Sequence, residues 1–318
     1  MLDQYGREIN YLRVSLTDRC NLRCIYCMPP EGIEKKKHED ILRFEEFEKI
    51  IRASAALGVK KVRFTGGEPL VVKNVEHLIA KTAEINGIED IGLTTNGILL
   101  YDLAKELKKA GLKRINLSLD TLNTEKYKVI TRGGNLKHVI KALDYCLKLG
   151  YNPIKINTVL LKGINDKEIA DFINLTKFYP VSVRFIELMP IGEASSLKES
   201  IMTCAEIKAS FSALVPLKDD AGGVAKLYRT KGGIGTIGLI SPLSCKFCSN
   251  CNKIRLTSIG SIKPCLHSNE EINLKNNISN NLYLIQQLKK AIFQKPKEHH
   301  LSKSNNSQSQ KMMFQIGG

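Results

Sequence analysis

Over the first 190 or so residues, short β-branched apolar runs alternate with longer amphipathic runs, about one pair every thirty residues. The apolar runs at 11–16, 61–64, 91–93, 114–119, 154–160 and 183–188 read as strands, being short and bounded by turn residues. Between them, apolar positions recur at helical spacing over 44–57, 75–85, 101–110, 136–149 and 167–178; Phe44, Phe47, Ile50 and Ile51 share one helix face in the first of these. Such short, nearly continuous apolar strands suit a parallel sheet covered by helices. Six βα units predict a partial TIM-like barrel, because eight would be needed to close one.

The polar and glycine-rich segments fall just after the strands, on the side where parallel α/β folds build their sites. Beyond Gly192 the alternation breaks, and residues 193–247 mix short helix and hairpin signals, including Gly222-Gly223 and Gly232-Gly233. A helical pattern returns over 282–293, residues 295–310 are polar and of low complexity, and the chain ends on Met312-Met313-Phe314-Gln315-Ile316-Gly317-Gly318. This divides the chain into a barrel (1–192), a C-terminal region that closes it (193–294) and a flexible tail (295–318).

Composition narrows the class. No stretch approaches the apolar length of a membrane span. The N-terminus carries acids and no apolar signal core, so a cytoplasmic protein is expected. The net charge of +16 invites a nucleic-acid reading, but the lysines spread over nearly every predicted helix and aromatics make up only 6%. A basic enzyme with an anionic substrate accounts for the charge as well, and neither nucleic acid nor membrane is expected as a partner. Most of the nine cysteines are clustered, which in a reducing compartment points to metal ligation. Cys146 and Cys204 stand alone in apolar helical patterns and read as small hydrophobes.

Cys20, Cys24 and Cys27 follow the first strand with spacing Cys-x3-Cys-x2-Cys. Three thiolates can hold three irons of a cubane cluster and leave the fourth open to a small molecule, since the next cysteine is Cys146. A structural zinc knot is the alternative and lacks a fourth ligand. After the second strand, Thr65-Gly66-Gly67-Glu68-Pro69 combines glycines that permit close backbone approach with a carboxylate able to pair with an ammonium. Taken alone it is equally a plain turn. Ser118, Asp120 and Met189 lie just beyond the fourth and sixth strands, where without the cysteine loop they read as capping and packing. A second group, Cys248-x2-Cys251-x13-Cys265, becomes four cysteines when Cys245 is counted, a spacing that a zinc site shares.

The first cysteine loop, with an aromatic before its last cysteine, resembles the radical S-adenosylmethionine (SAM) signature. Arg63-Phe64-Thr65-Gly66-Gly67-Glu68-Pro69, Leu93 through Gly97, Asn116 through Asp120, Arg184 through Gly192, the second cysteine run with its Asn-x-x-Arg-Leu-Thr and the closing Gly317-Gly318 extend the likeness. Together they resemble the molybdenum cofactor biosynthesis protein A family, the GTP 3′,8-cyclases, over almost the whole chain. The resemblance implies two 4Fe–4S clusters, held by Cys20, Cys24 and Cys27 and by Cys248, Cys251 and Cys265. It implies SAM contacts at Tyr26, Gly67, Ser118 and Met189, with Glu68 near the methionine amino group. GTP contacts are implied at Arg13, Arg63, Thr94, Lys155, Lys253, Ile254 and Arg255. Gly317 and Gly318 join Arg13, Lys253 and Arg255 in the catalytic set.

The implied reaction makes 3′,8-cyclo-7,8-dihydro-GTP, the first step of molybdenum cofactor biosynthesis. It cleaves SAM, draws on a reductant protein the sequence does not name, and hands its product to a separate cyclic pyranopterin monophosphate synthase. A homodimer is compatible with the sequence. Lys253 stands where the family leads one to expect arginine, and Cys245 has no role that the resemblance supplies. The competing readings are a radical-SAM enzyme that modifies peptide or tRNA, and a zinc-bearing nucleic-acid-binding protein, which would leave the βα units unexplained.

Overall fold

The computed structural model describes residues 1–34, 36–211, 214–218, 223–301 and 307–317. Its centre is a parallel run of β1 (Tyr11–Ser15), β2 (Lys61–Thr65), β3 (Asp90–Thr95), β4 (Arg114–Ser118), β5 (Ile154–Leu160) and β6 (Val181–Glu187), paired in chain order. The covering helices are α1 (Phe44–Ala56), α2 (Val75–Ala83), α3 (Leu100–Lys109), α4 (Thr124–Thr131), α5 (Leu136–Lys148) and α6 (Ile169–Phe178). This is the partial six-unit barrel that the periodicity predicts.

Beyond β6 come α7 (Cys204–Ser210), β7 (Leu214–Pro216), β8 (Lys226–Thr230), β9 (Thr236–Ile240), β10 (Lys253–Leu256), β11 (Ser261–Lys263), β12 (Ile272–Asn273), α8 (Asn281–Phe293) and α9 (Met313–Ile316). Here the structure adds what sequence reading missed. β9 pairs parallel to β6 and β10 pairs parallel to β1, so the C-terminal region lengthens the barrel sheet at both edges. The remaining strands are antiparallel and cap those edges. The twelve strands form one sheet, ordered β12-β11-β10-β1-β2-β3-β4-β5-β6-β9-β8-β7.

Strand alternation sorts the side chains into two layers. Leu12, Val14, Val62, Phe64, Leu93, Ile115, Leu117, Ile156, Val183, Phe185 and Ile254 belong to the main hydrophobic core beneath the helices. Phe172 and Phe185 meet edge to face there, ring centres 6.1 Å apart, and truncating either to alanine should cost roughly 3–5 kcal/mol. The residues between them turn the other way. Register then aligns Arg13 with Arg63 and Arg255, and Asn116 with Thr94 and Lys155. The inner face is therefore polar and largely cationic.

α4 was not predicted. Its sequence is polar, and its start depends on the Asn123 side chain, which accepts from the N–H groups of Glu125 and Lys126, both at 3.0 Å. The polar stretch from 295 differs from a loose tail: Lys295, His299 and Leu301 are buried, as are Phe314 and Ile316 further on.

A candidate active site in the barrel lumen

β1 runs directly into the first cysteine loop, and α4 supports it from behind. The Arg23 and Ile25 N–H groups donate to the carbonyls of Thr131 and Ile130 at 3.1 and 3.0 Å. Arg132, at the end of α4 with φ of 52°, donates to the Arg23 and Met28 carbonyls at 3.1 and 2.8 Å. The loop gathers Cys20, Cys24 and Cys27. Burial first, then Asp120 and the other two sulfurs, pushes the Cys24 thiol well up; burial and Cys20 push Cys27 up to about 12. The three groups are thus close enough to repel one another as thiolates, and a bound cationic centre would reverse that repulsion. Cys20 already accepts from Leu22 N–H at 3.3 Å. Its donor set, burial and spacing fit an iron–sulfur cluster.

Gly66 and Gly67 fit this loop tightly. A Cβ on Gly66, whose φ is +143°, would collide with the Thr17 carbonyl oxygen, and one on Gly67 would collide with that of Arg19. Glu68 is tied down by its protein neighbours. Its carboxylate is buried and accepts from Leu70 N–H (3.0 Å), Thr95 Oγ1 (2.8 Å) and Asn96 N–H (2.7 Å). It braces the β2 and β3 loops against each other. Tyr26 donates to Asp120 at 2.6 Å, and Asp120 also takes the Val159 N–H at 2.8 Å. Burial lifts the Asp120 carboxyl to about 6 against these bonds.

The second cysteine run follows β9. Cys248, Cys251 and Cys265 line the lumen cavity, whereas Cys245 is exposed to solvent and adds to the repulsion felt by Cys204. Burial pushes the Cys251 thiol up, but Lys295, Lys253 and Arg255 outweigh it and hold it below its usual value. Among the described residues, no three His, Cys, Asp or Glu side chains are gathered so as to hold a single metal ion.

The cavity measures about 630 Å³. Of the residues singled out in the sequence, it brings together Arg13, Arg63, Lys155, Met189, Lys253, Arg255 and the three cysteines. Ser118 and Thr94 stand on the inner strand face nearby, while Ile254 is fully buried on the helix side and offers the lumen only its backbone. Arg63 Nη1, Thr94 Oγ1, Asn116 Oδ1 and Asn157 Oδ1 are buried with no hydrogen-bond partner among the described residues, as in a site shaped for a polar ligand. The C-terminus reaches this place: Arg255 donates to the Gly317 carbonyl at 2.5 Å and to that of Ile316 at 3.2 Å. Gly318 lies outside the described residues.

Sequence reading missed Tyr11, Lys61, Arg114, Asn116, Asn157, Arg184 and Lys295, all of which line the cavity. Tyr11 is the most informative of them. Its hydroxyl accepts from Arg63 Nε, and the Lys253 ammonium stands 5.5 Å from its ring centre. Burial would raise the phenol, but Arg63, Arg13 and Lys253 together bring it down to about 8. Polar residues at every second strand position, such as Tyr11, Arg13 and Ser15, were the available signal.

Known proteins match the chain throughout. The Radical SAM superfamily profile covers residues 14–176 and the Molybdenum Cofactor Synthesis C profile covers 181–301. A GTP 3′,8-cyclase of Clostridium botulinum is 56% identical over 319 residues, all of both chains. The chain belongs to the GTP 3′,8-cyclase family. Relatives of the same name in Clostridium acetobutylicum and Alkaliphilus oremlandii are 52% and 50% identical, again over the full length of both chains. Among solved structures, SAM-bound SuiB of Streptococcus suis superposes with a TM-score of 0.61 at 19% identity, covering 86% of this chain and 65% of that one, a likeness of fold. Among the described residues no helix is long and apolar enough to cross a membrane.

Proposed function

We propose that this enzyme converts GTP to 3′,8-cyclo-7,8-dihydro-GTP in the barrel lumen, with SAM beside the first cysteine loop and GTP against the second. The single observation that carries this reading is that Cys248, Cys251 and Cys265 open onto the same cavity as Arg13, Arg63, Lys155 and Arg255. Guanidinium and ammonium groups match triphosphate oxygens in charge and geometry. A second cluster at those cysteines, with one iron free of protein, would anchor the guanine end.

A cluster held by Cys20, Cys24 and Cys27, with SAM bound beside it, would supply a 5′-deoxyadenosyl radical able to take hydrogen from ribose C3′. The chain's own residues govern the fate of the resulting carbon radical. They hold C3′ facing guanine C8 until the new bond forms, and they keep water away until an electron and a proton complete the product. Tyr26, Gly67, Ser118 and Met189 would hold SAM; Arg13, Arg63, Thr94, Lys155, Lys253, Arg255 and the Ile254 backbone would hold GTP. Lys253, in place of arginine, keeps the charge and loses the planar fork. A soluble cytoplasmic enzyme, an external reductant protein and a downstream cyclic pyranopterin monophosphate synthase complete the reading; a homodimer is compatible with it.

The test is anaerobic incubation of reduced protein with SAM and GTP. Formation of 5′-deoxyadenosine together with a cyclised nucleotide is expected. GTP-independent behaviour, with no cyclised product, would overturn the assignment.

A further inference from the structure

Three stretches of chain carry the thiols of the second group, and one buried side chain reaches two of them. Lys295 Nζ donates to the Lys253 carbonyl at 2.9 Å, two residues beyond Cys251, and to the Pro264 carbonyl at 2.8 Å, next to Cys265. The strand ladder does not reach this far. β10 and β11 pair through Leu256 with Ile262 and Arg255 with Lys263, and the pairing ends there, short of both cysteines. Lys295 makes the cross-link where the ladder stops. The third stretch is tied to the same place through Arg7, whose guanidinium donates to the Cys248 carbonyl at 2.9 Å. It also donates to the carbonyls of Pro296 and Lys297, the two residues after Lys295, at 2.7 and 3.0 Å. Arg7 is held in turn by Asp3, Nε to Oδ2 at 2.6 Å, and both residues are buried.

Lys295 is 2% exposed, and the two groups it bonds are neutral carbonyls. Taking an ammonium out of water is costly unless an anion compensates. Two carbonyls use two of its three N–H donors, and the side chain lines the cavity onto which Cys248, Cys251 and Cys265 open. Thiolates there would supply the missing anion. We infer that Lys295 is a positioning residue for the second cluster: it holds the Cys251 and Cys265 stretches at a ligating separation and sets a fixed positive charge beside the thiolates. The inference rests on the proposed function, which places a cluster at those cysteines. Three thiols opening onto one cation-rich cavity fit such a group. Ligands of bound metals commonly depend on outer partners of this kind, and losing one costs roughly 10- to 100-fold in affinity.

The test is a chelator titration of the anaerobically reconstituted full-length protein, with released iron measured. Electron paramagnetic resonance of the reduced protein accompanies it, SAM marking the first cluster and GTP the second by the change each produces. Lys295→Met keeps the length of the side chain and removes the ammonium; Lys295→Arg keeps the charge and the donors. In Lys295→Met, about half of the iron should leave at roughly 10- to 100-fold lower chelator than in wild type. The GTP-sensitive signal should go with it and the SAM-sensitive signal should stay. Lys295→Arg should recover most of the difference. Wild-type iron retention in Lys295→Met would overturn the inference. Equal loss from both clusters would also overturn it, since the lysine would then serve the fold as a whole. So would an arginine variant no better than the methionine one, because neither the charge nor the donors would then matter. A wild-type protein with a SAM-sensitive signal but no GTP-sensitive one would instead overturn the second cluster of the proposed function.

Discussion

Glu187 Oε2 accepts the Ser244 backbone N–H at 3.1 Å, tying the end of β6 to the loop that leads to the second cysteine group. The same carboxylate takes the N–H groups of Leu243 at 3.1 Å and Cys204 at 2.9 Å, and the Ser244 hydroxyl. It is fully buried, and Met189 lies two positions further along. One side chain therefore sets the spacing between the Met189 end of β6 and the second cysteine run.

Glu187→Ala would leave three backbone donors without this acceptor, and stranding each buried donor costs about 1–3 kcal/mol. A loss of roughly 3 kcal/mol or more in stability is expected, with iron lost first from the second cysteine group. Glu187→Gln, which keeps one acceptor oxygen, should fall between. Thermal unfolding and iron content of the two variants decide the point; unchanged values would show that the loop holds its place without Glu187.

Cys24→Ala removes the most central thiol of the first loop, which no neighbouring cysteine can replace. SAM cleavage should vanish and iron should fall to about half, the second cluster remaining. Measured 5′-deoxyadenosine at the wild-type rate would end the assignment of that loop.

Much of this was legible in the sequence because it is local. The strands are β-branched runs, and the cysteine loops are single stretches whose spacing survives folding. What was missed depends on distant partners. β10 is only Lys253-Ile254-Arg255-Leu256, and it becomes a barrel strand by lying beside β1. α4 has little apolar periodicity and is placed by its Asn123 cap and by the cysteine loop that it backs. Lys295 looked like part of a polar linker, yet two carbonyls from separate segments take its ammonium out of solvent. Arg114 and Asn157 announced themselves only as polar residues at alternate positions in strands that should be apolar on both faces.

Cys245→Ala should retain the iron, sulfide and cyclisation of wild type. Cys245 is exposed, whereas Cys248, Cys251 and Cys265 face the cavity, and a fourth thiolate would close the iron proposed to meet guanine. Loss of the second cluster in this variant would instead favour a closed four-cysteine site.

Glu68 gives a pH dependence with a definite sign. Burial, opposed by the bonds from Asn96, Leu70 and Thr95, raises its carboxyl from 4.5 to about 7. Between those values the native state binds the extra proton, so this group's contribution to stability falls as pH rises from about 4.5 to about 7. The span corresponds to roughly 3 kcal/mol. Glu68→Gln should flatten this part of the profile, as read by chemical denaturation at several pH values. An identical slope in the variant would assign the dependence to other groups.

Gly317 is held where only glycine fits. Its φ is +73°, a region that costs other residues strain, and a Cβ there would collide with Thr65 Cγ2 on the motif after β2. Its carbonyl receives Arg255 at 2.5 Å, inside the cation-rich lumen. The tail thus supplies a backbone group to the site proposed for GTP, and Thr65 fixes how closely it approaches. The polar stretch ahead of it is long enough to reach from the second cysteine group, because sixteen extended residues span roughly 50 Å. Gly317→Ala, and a chain ending at Ile316, should keep both clusters and bind SAM, since Phe314 and Ile316 still anchor the segment. Both should lose GTP cyclisation by a hundredfold or more, the order expected when a positioned group is displaced by about 1 Å. Spectroscopic cluster content, SAM binding and product formation measured on the same preparations separate these effects, and wild-type cyclisation by the shortened chain would dispose of a role for the two terminal glycines.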